Sequence, residues 1–132
     1  MSAPIDLIHS VPLFRGLNAN QLEMLSRSFK DRTFRSGQTV TAEGGGGVGF
    51  FVIEDGTATV SIGGEERRKL GAGDHFGEMA LIDDSPRSAT IVADTDLRCW
   101  GLTSWEFRPL VESNASIAWA MLQTMAQRLR EA

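Results

Sequence analysis

The sequence predicts a mainly β fold, an antiparallel sandwich or jelly roll flanked by helices, within one domain of 132 residues. Three observations carry that prediction. Between Arg32 and Leu102, short β-rich runs alternate with glycine-bearing turns. Ahead of that stretch, apolar residues recur at helical spacing. After it, they do so again.

The elements follow in order. Asn18 is placed to cap a helix with Gln21 three positions on, and Leu22, Leu25 and Phe29 then repeat along one face. Thr39-Val40-Thr41 and Phe50-Phe51-Val52-Ile53 have the β-branched and aromatic character of strands. Gly56 and the pair Gly63-Gly64 read as hairpin turns, and Gly71, Gly73 and Asp74 as a further turn. Four successive glycines, Gly44 to Gly47, read as a mobile hairpin tip, or as a loop that orders on a partner, because glycine is costly to order. Ser88–Ala93 and Leu97–Leu102 are two more short strands. Thr103 and Glu106 then form a capping-box pattern, and Pro109 should shorten or kink the helix it begins. Ser113 or Asn114 caps a final helix whose apolar stripe reads Ala118, Leu122, Met125 and Leu129, with Ile117 and Met121 beside it. The segments expected are helical over 1–30, β over 31–102 and helical over 103–132.

Composition removes several function classes. A net charge of −4 argues against nucleic acid as a partner. Arg67-Arg68-Lys69 follows Glu65-Glu66 and reads as a solvated hairpin rather than a basic patch. The single cysteine, Cys99, lies in an apolar run and can form no intrachain disulfide. No basic stretch leads into an apolar one at the N-terminus, and no run of 18 apolar residues exists, so neither export nor a membrane is expected. Together these observations point to the reducing cytoplasm. A metal-dependent jelly-roll enzyme would need clustered ligands, and the only histidines are His9 and His75.

Residues 76–90 carry the chemistry: Phe-Gly-Glu-Met-Ala-Leu-Ile-Asp-Asp-Ser-Pro-Arg-Ser-Ala-Thr. Gly77 allows close backbone approach to a ligand. A helical turn starting there would aim free N–H groups at an anion. Arg87 brings a planar fork of donors suited to two phosphate oxygens. Glu78, when ionised, only accepts hydrogen bonds, so it suits a hydroxyl and repels a bare phosphate. A carboxylate beside a phosphate site therefore implies a neighbouring hydroxyl, such as a ribose 2′-OH.

This segment resembles the phosphate-binding cassette of cyclic nucleotide-binding domains, whose pattern is Phe-Gly-Glu-(Leu/Met)-Ala-Leu, a loop, then Pro-Arg-(Ala/Ser/Thr)-Ala. The match falls on Phe76, Gly77, Glu78, Met79, Ala80, Leu81, Pro86, Arg87, Ser88 and Ala89. Ser10-Val11-Pro12-Leu13-Phe14 resembles the family's entry segment, and Gly44 to Gly56 fits its glycine hairpin without a gap. The glycine run departs from the acidic or proline residues usual there. The resemblance implies an eight-stranded antiparallel jelly-roll β-barrel with N-terminal helices and a C-terminal lid helix. It implies phosphate binding by Arg87 and by backbone near Gly77, Glu78, Met79 and Ala80, with Glu78 on the ribose 2′-OH. Ser88, where many cGMP binders carry threonine, leans towards cAMP and leaves cGMP open. Counting from the cassette places Arg128 where ion-channel members hold an arginine over the purine, and Trp119 is a second cap candidate. Val52, Leu70 and Val92 are expected to line the pocket. The function implied is non-enzymatic: a stand-alone cytoplasmic sensor that needs no cofactor and acts on a separate protein effector or through a homodimer. A degenerate relative serving only as a protein-interaction module is the alternative, and retention of both Glu78 and Arg87 argues against it.

Overall fold

The computed structural model describes residues 2–45, 49–83 and 87–131, with Met79 and Ala80 placed by backbone alone. Gly46, Gly47 and Pro86 lie outside them. The chain opens with helix α1 (Ile5–His9), a 3₁₀ turn at Pro12–Phe14 and helix α2 (Ala19–Ser28). The capping prediction for α2 holds: the Asn18 side-chain oxygen accepts from the Gln21 N–H at 2.9 Å, and the Gln21 side-chain oxygen accepts from the Asn18 N–H at 2.9 Å. Leu22, Leu25 and Phe29 are buried, as their spacing predicts.

Eight strands follow: β1 (Lys30–Phe34), β2 (Thr39–Thr41), β3 (Phe50–Asp55), β4 (Ala58–Ile62), β5 (Glu65–Leu70), β6 (His75–Phe76), β7 (Thr90–Ala93) and β8 (Leu97–Leu102). They form two four-stranded antiparallel sheets, ordered β1-β8-β3-β6 and β2-β7-β4-β5. Eight antiparallel strands match the expectation. The sheets face each other as an open roll, because among the described residues no ladder joins one sheet to the other. Two turns read as hairpins are crossovers instead. The glycine-rich link joins β2 of one sheet to β3 of the other, and Gly56 joins β3 back to β4. Gly63-Gly64 is a true hairpin, pairing β4 with β5.

The period of two along β3 divides the core. Phe50 and Val52 point towards the N-terminal helices, while Phe51 and Ile53 point between the sheets. Val52 is therefore fully buried under the helices and does not line a ligand pocket. Cys99 packs between the sheets, and burial pushes its thiol up to about 12.

Helix α3 (Ser104–Ser113) begins with the Glu106 carboxylate accepting from the Thr103 N–H at 3.2 Å and from its hydroxyl at 2.7 Å. Pro109 sits inside α3, and the chain breaks at Asn114 before helix α4 (Ala115–Glu131). The Asn114 amide donates to the Leu110 carbonyl at 2.7 Å, which satisfies one of the last acceptors of α3. The predicted stripe of α4 is rotated by one residue. The buried face is Ile117, Met121 and Thr124, while Leu122 and Leu129 are 57% and 76% exposed. Apolar residues occupy both phases of this helix, so spacing alone did not choose between them. No described helix is long and apolar enough to cross a membrane.

Candidate functional site

A cavity of about 200 Å³ opens between the sheets beside the segment that follows β6. Its lining joins two sources. The cassette contributes Phe76, Gly77, Glu78, Arg87, Ser88 and Ala89. The second sheet contributes one cross-strand row: Thr41 pairs with Ile91, Ile91 with Val60, and Val60 with Arg68. Neighbours in such a row point to the same face. The floor is thus apolar in the middle, with a hydroxyl at one end and a guanidinium at the other. Val60 and Ile91 are 7% and 5% exposed.

The backbone around the cassette is tightly specified. Gly77 has φ +82°, and a Cβ there would lie 2.8 Å from the Gly49 carbonyl oxygen and would collide with the Arg87 guanidinium. Only glycine meets both demands. Arg87 is clamped on both sides by the glycine loop: its N–H donates to Gly45 at 2.9 Å, and its carbonyl accepts from Gly44 at 2.8 Å. Gly44 takes φ +78° to do so. The first two glycines of the run thus anchor the arginine instead of forming a free tip.

The Arg87 Nη2 donates to the Gly49 carbonyl, and the guanidinium has no carboxylate partner among the described residues. Burial pushes its pKa down from the ordinary arginine value. Its Nε is buried with no hydrogen-bond partner. Glu78 starts the 3₁₀ turn Glu78–Leu81, and its side chain is 14% exposed. One carboxylate oxygen, Oε1, accepts from Arg128 Nη2 at 3.3 Å, whereas Oε2 is buried without a partner. Two residues that line one cavity thus carry an unpartnered buried donor and an unpartnered buried acceptor, and each is costly to leave unmade. An anion with an adjacent hydroxyl is the ligand whose chemistry suits such an arginine and carboxylate.

Of the predicted site residues, Phe76, Gly77, Glu78, Arg87, Ser88 and Ala89 line this cavity. Phe76 is buried and stacks on Phe51, with ring centroids 5.3 Å apart. Ser88 and Ala89 line the wall just before β7. Met79 and Ala80 form the middle of the 3₁₀ turn. Arg128 does reach the site from α4, but at the Glu78 carboxylate instead of over the apolar floor. Three expected lining residues are displaced along with Trp119. Leu70 packs in the core between the sheets, and Val92 points away because its neighbours Ile91 and Ala93 point in. Val52 lies under the helices, as described above. Trp119 is 64% exposed on α4 and is absent from the lining. Thr41, Val60, Arg68, His75 and Ile91 were not foreseen. Alternation from buried Leu70 does place Arg68 inward, but the row it joins depends on long-range pairing. His75 lines the cavity with a buried, unpartnered Nδ1, while His9 is exposed on α1 near the Arg15 carbonyl. A larger groove of about 440 Å³ lies between Leu81-Ile82 and α3, but among the described residues none with a buried, unpartnered polar atom lines it.

A roll with an acid and an arginine lining one such cavity has the form of a small-ligand-binding domain. Comparison with known proteins gives the family. Residues 31–114 match the model of the cyclic nucleotide-binding domain, and the chain belongs to that family. It is similar to a cAMP-dependent protein kinase regulatory subunit of Debaryomyces hansenii, 35% identical over 101 residues, covering 75% of this chain and 22% of that protein. It is also similar to a cGMP-dependent protein kinase of Plasmodium berghei, 40% identical over 92 residues, covering 70% of this chain and 11% of that protein. This chain therefore spans under a quarter of the length of these relatives. Among solved structures, the N-terminal domain of a transcriptional regulator from Streptomyces coelicolor superposes with a TM-score of 0.88 at 27% identity, covering 96% of this chain and 92% of that one.

Proposed function

We propose that this chain is a non-enzymatic sensor of a 3′,5′-cyclic nucleotide whose occupancy is transmitted to α4. The observation that carries the reading is that Glu78 and Arg87 line one cavity, each with a buried polar atom, Oε2 and Nε, that has no hydrogen-bond partner. Arg87 and the backbone N–H groups from Glu78 to Ala80 would hold the cyclic phosphate. Glu78 Oε2 would accept the ribose 2′-OH, the one ribose hydroxyl that such a ligand leaves free. Val60 and Ile91 would support the purine.

Ser88 supports cAMP as the ligand on the cassette side. It lines the wall where a threonine would add bulk and a fixed hydroxyl. Transmission to α4 would run through Glu78, because one carboxylate serves Arg128 with Oε1 and the ligand with Oε2. The response would pass to a separate protein effector in the cytoplasm, or to a second copy of the chain, without nucleic acid or membrane as partner. An interaction module with no ligand is the poorer reading, because it leaves the orphan pair unexplained.

Thermal unfolding in the presence of cAMP, cGMP and 5′-AMP tests this reading. A ligand at 100 times its dissociation constant stabilises by about 2.7 kcal/mol, which raises the midpoint of a domain this size by several degrees. The expected outcome is a rise with a cyclic nucleotide and none with 5′-AMP. No shift with either cyclic nucleotide would reject it.

A further inference from the structure

We propose that the roll carries a second ligand site, for a small aromatic carboxylate, at the open seam between its edge strands β1 and β2. A cavity of about 280 Å³ lies there, beside the first turn of α3. Its walls are Phe34, Val40, Phe51 and Trp105, with Arg32 among them. It shares no lining residue with the cassette cavity, so this site stands apart from the cyclic-nucleotide reading.

The register explains how a cation comes to stand there. Arg32 pairs with Cys99 and Phe34 with Leu97, and both partners are buried between the sheets. Arg32 and Phe34 therefore share the inner face of β1. An arginine is tolerated on that face because β1 is an edge strand and the side chain stays exposed. Arg32 has no carboxylate partner among the described residues, whereas its neighbour Asp31 pairs with Arg98 at 3.2 Å. Gly101 takes no positive φ, so it serves space alone. A Cβ there would lie 2.9 Å from the Phe51 ring and 3.2 Å from Arg32 Cγ. Both side chains close on the room that it leaves.

Walls of this kind select the occupant. Three aromatic rings offer stacked and edge-on contacts to a flat apolar body. The guanidinium offers a fork of donors matched to a carboxylate. One cation among apolar walls suits a monoanion with an apolar body better than a phosphate. A cavity of 280 Å³ is at the small end of ligand pockets, which fits one ring or two fused rings. Phe51 meets Phe34 edge-on at 5.8 Å and stacks on Phe76 of the cassette at 5.3 Å. An occupant here therefore bears on a ring packed directly against the cassette.

Calorimetric titrations with 1-naphthoate and the uncharged 1-naphthalenemethanol, on wild type, Arg32→Gln and Trp105→Ala, test the assignment, with thermal melts to verify folding. The expected result is saturable one-site binding of 1-naphthoate to the wild type. Arg32→Gln should weaken it at least about tenfold, the loss typical of a hydrogen bond to a charged group, and leave the weaker binding of the alcohol unchanged. Trp105→Ala, which alters a side chain 66% exposed, should weaken both probes. Amide shifts caused by 1-naphthoate should centre on residues 32–34 and 101–105. Shifts centred on the cassette instead would place the probe in the other cavity and overturn the site. No saturable binding, or equal affinity of wild type and Arg32→Gln for 1-naphthoate, would overturn it as well. Binding of decanoate but not of 1-naphthoate would reject the aromatic class. A dimer in sedimentation that Arg32→Gln disperses would give this face to a second copy and reject the small ligand.

Discussion

At the scale of single residues, the site depends on a few positions where only one side chain serves. Gly77 combines a positive φ with a carbonyl and a guanidinium where a Cβ would stand. Gly77→Ala should cost about 1–3 kcal/mol of stability from backbone strain alone and should also displace Arg87. Urea denaturation would measure the first effect and nucleotide titration the second. Cys99 makes a different prediction. Its buried thiol, pushed up to about 12, stays protonated at pH 8. A disulfide-exchange reagent should therefore react with it only as the protein unfolds; rapid labelling of the native state would contradict the packing described. This scale was the most legible in the sequence. Glu78 and Arg87 announce their chemistry by type and spacing within one short segment. Arg68 does not, because its neighbours Arg67 and Lys69 are ordinary surface cations and only the strand's alternation separates it from them.

At the scale of elements, the capping residues fixed their helices as read, because a cap is a local interaction spanning three residues. The links from β2 to β3 and, at Gly56, from β3 to β4 were misread as hairpins because the choice of sheet is decided by pairing far along the chain. The face of α4 was misread because apolar residues occupy both phases of the helix and packing against the rest of the domain chooses between them. Its contact with the cassette, Arg128 to Glu78, makes α4 the element that should respond to ligand. Hydrogen exchange across residues 115–131 should slow when cyclic nucleotide saturates the site, and Arg128→Ala should reduce that change. Identical exchange with and without ligand would sever the proposed link between pocket and helix.

At the scale of the whole molecule, the two cores divide the labour. The one between the sheets sets the floor of the cavity, while the one beneath the helices seats α1, α2, α3 and α4. Under the proposed sensor reading, the energy for signalling would be the difference in ligand affinity between two states of the domain, and no more than that. Everything at this scale depends on the ligand being held by Arg87. Truncating a buried charge that pairs with a ligand costs about 2–5 kcal/mol. The most direct measurement is calorimetric titration of wild type and Arg87→Ala with cAMP and cGMP, with thermal melts to verify that the variant folds. The account predicts saturable one-site binding to the wild type, weakened by roughly thirtyfold or more in the folded variant. Equal affinity in the two proteins, or no binding of either nucleotide to the wild type, would contradict it.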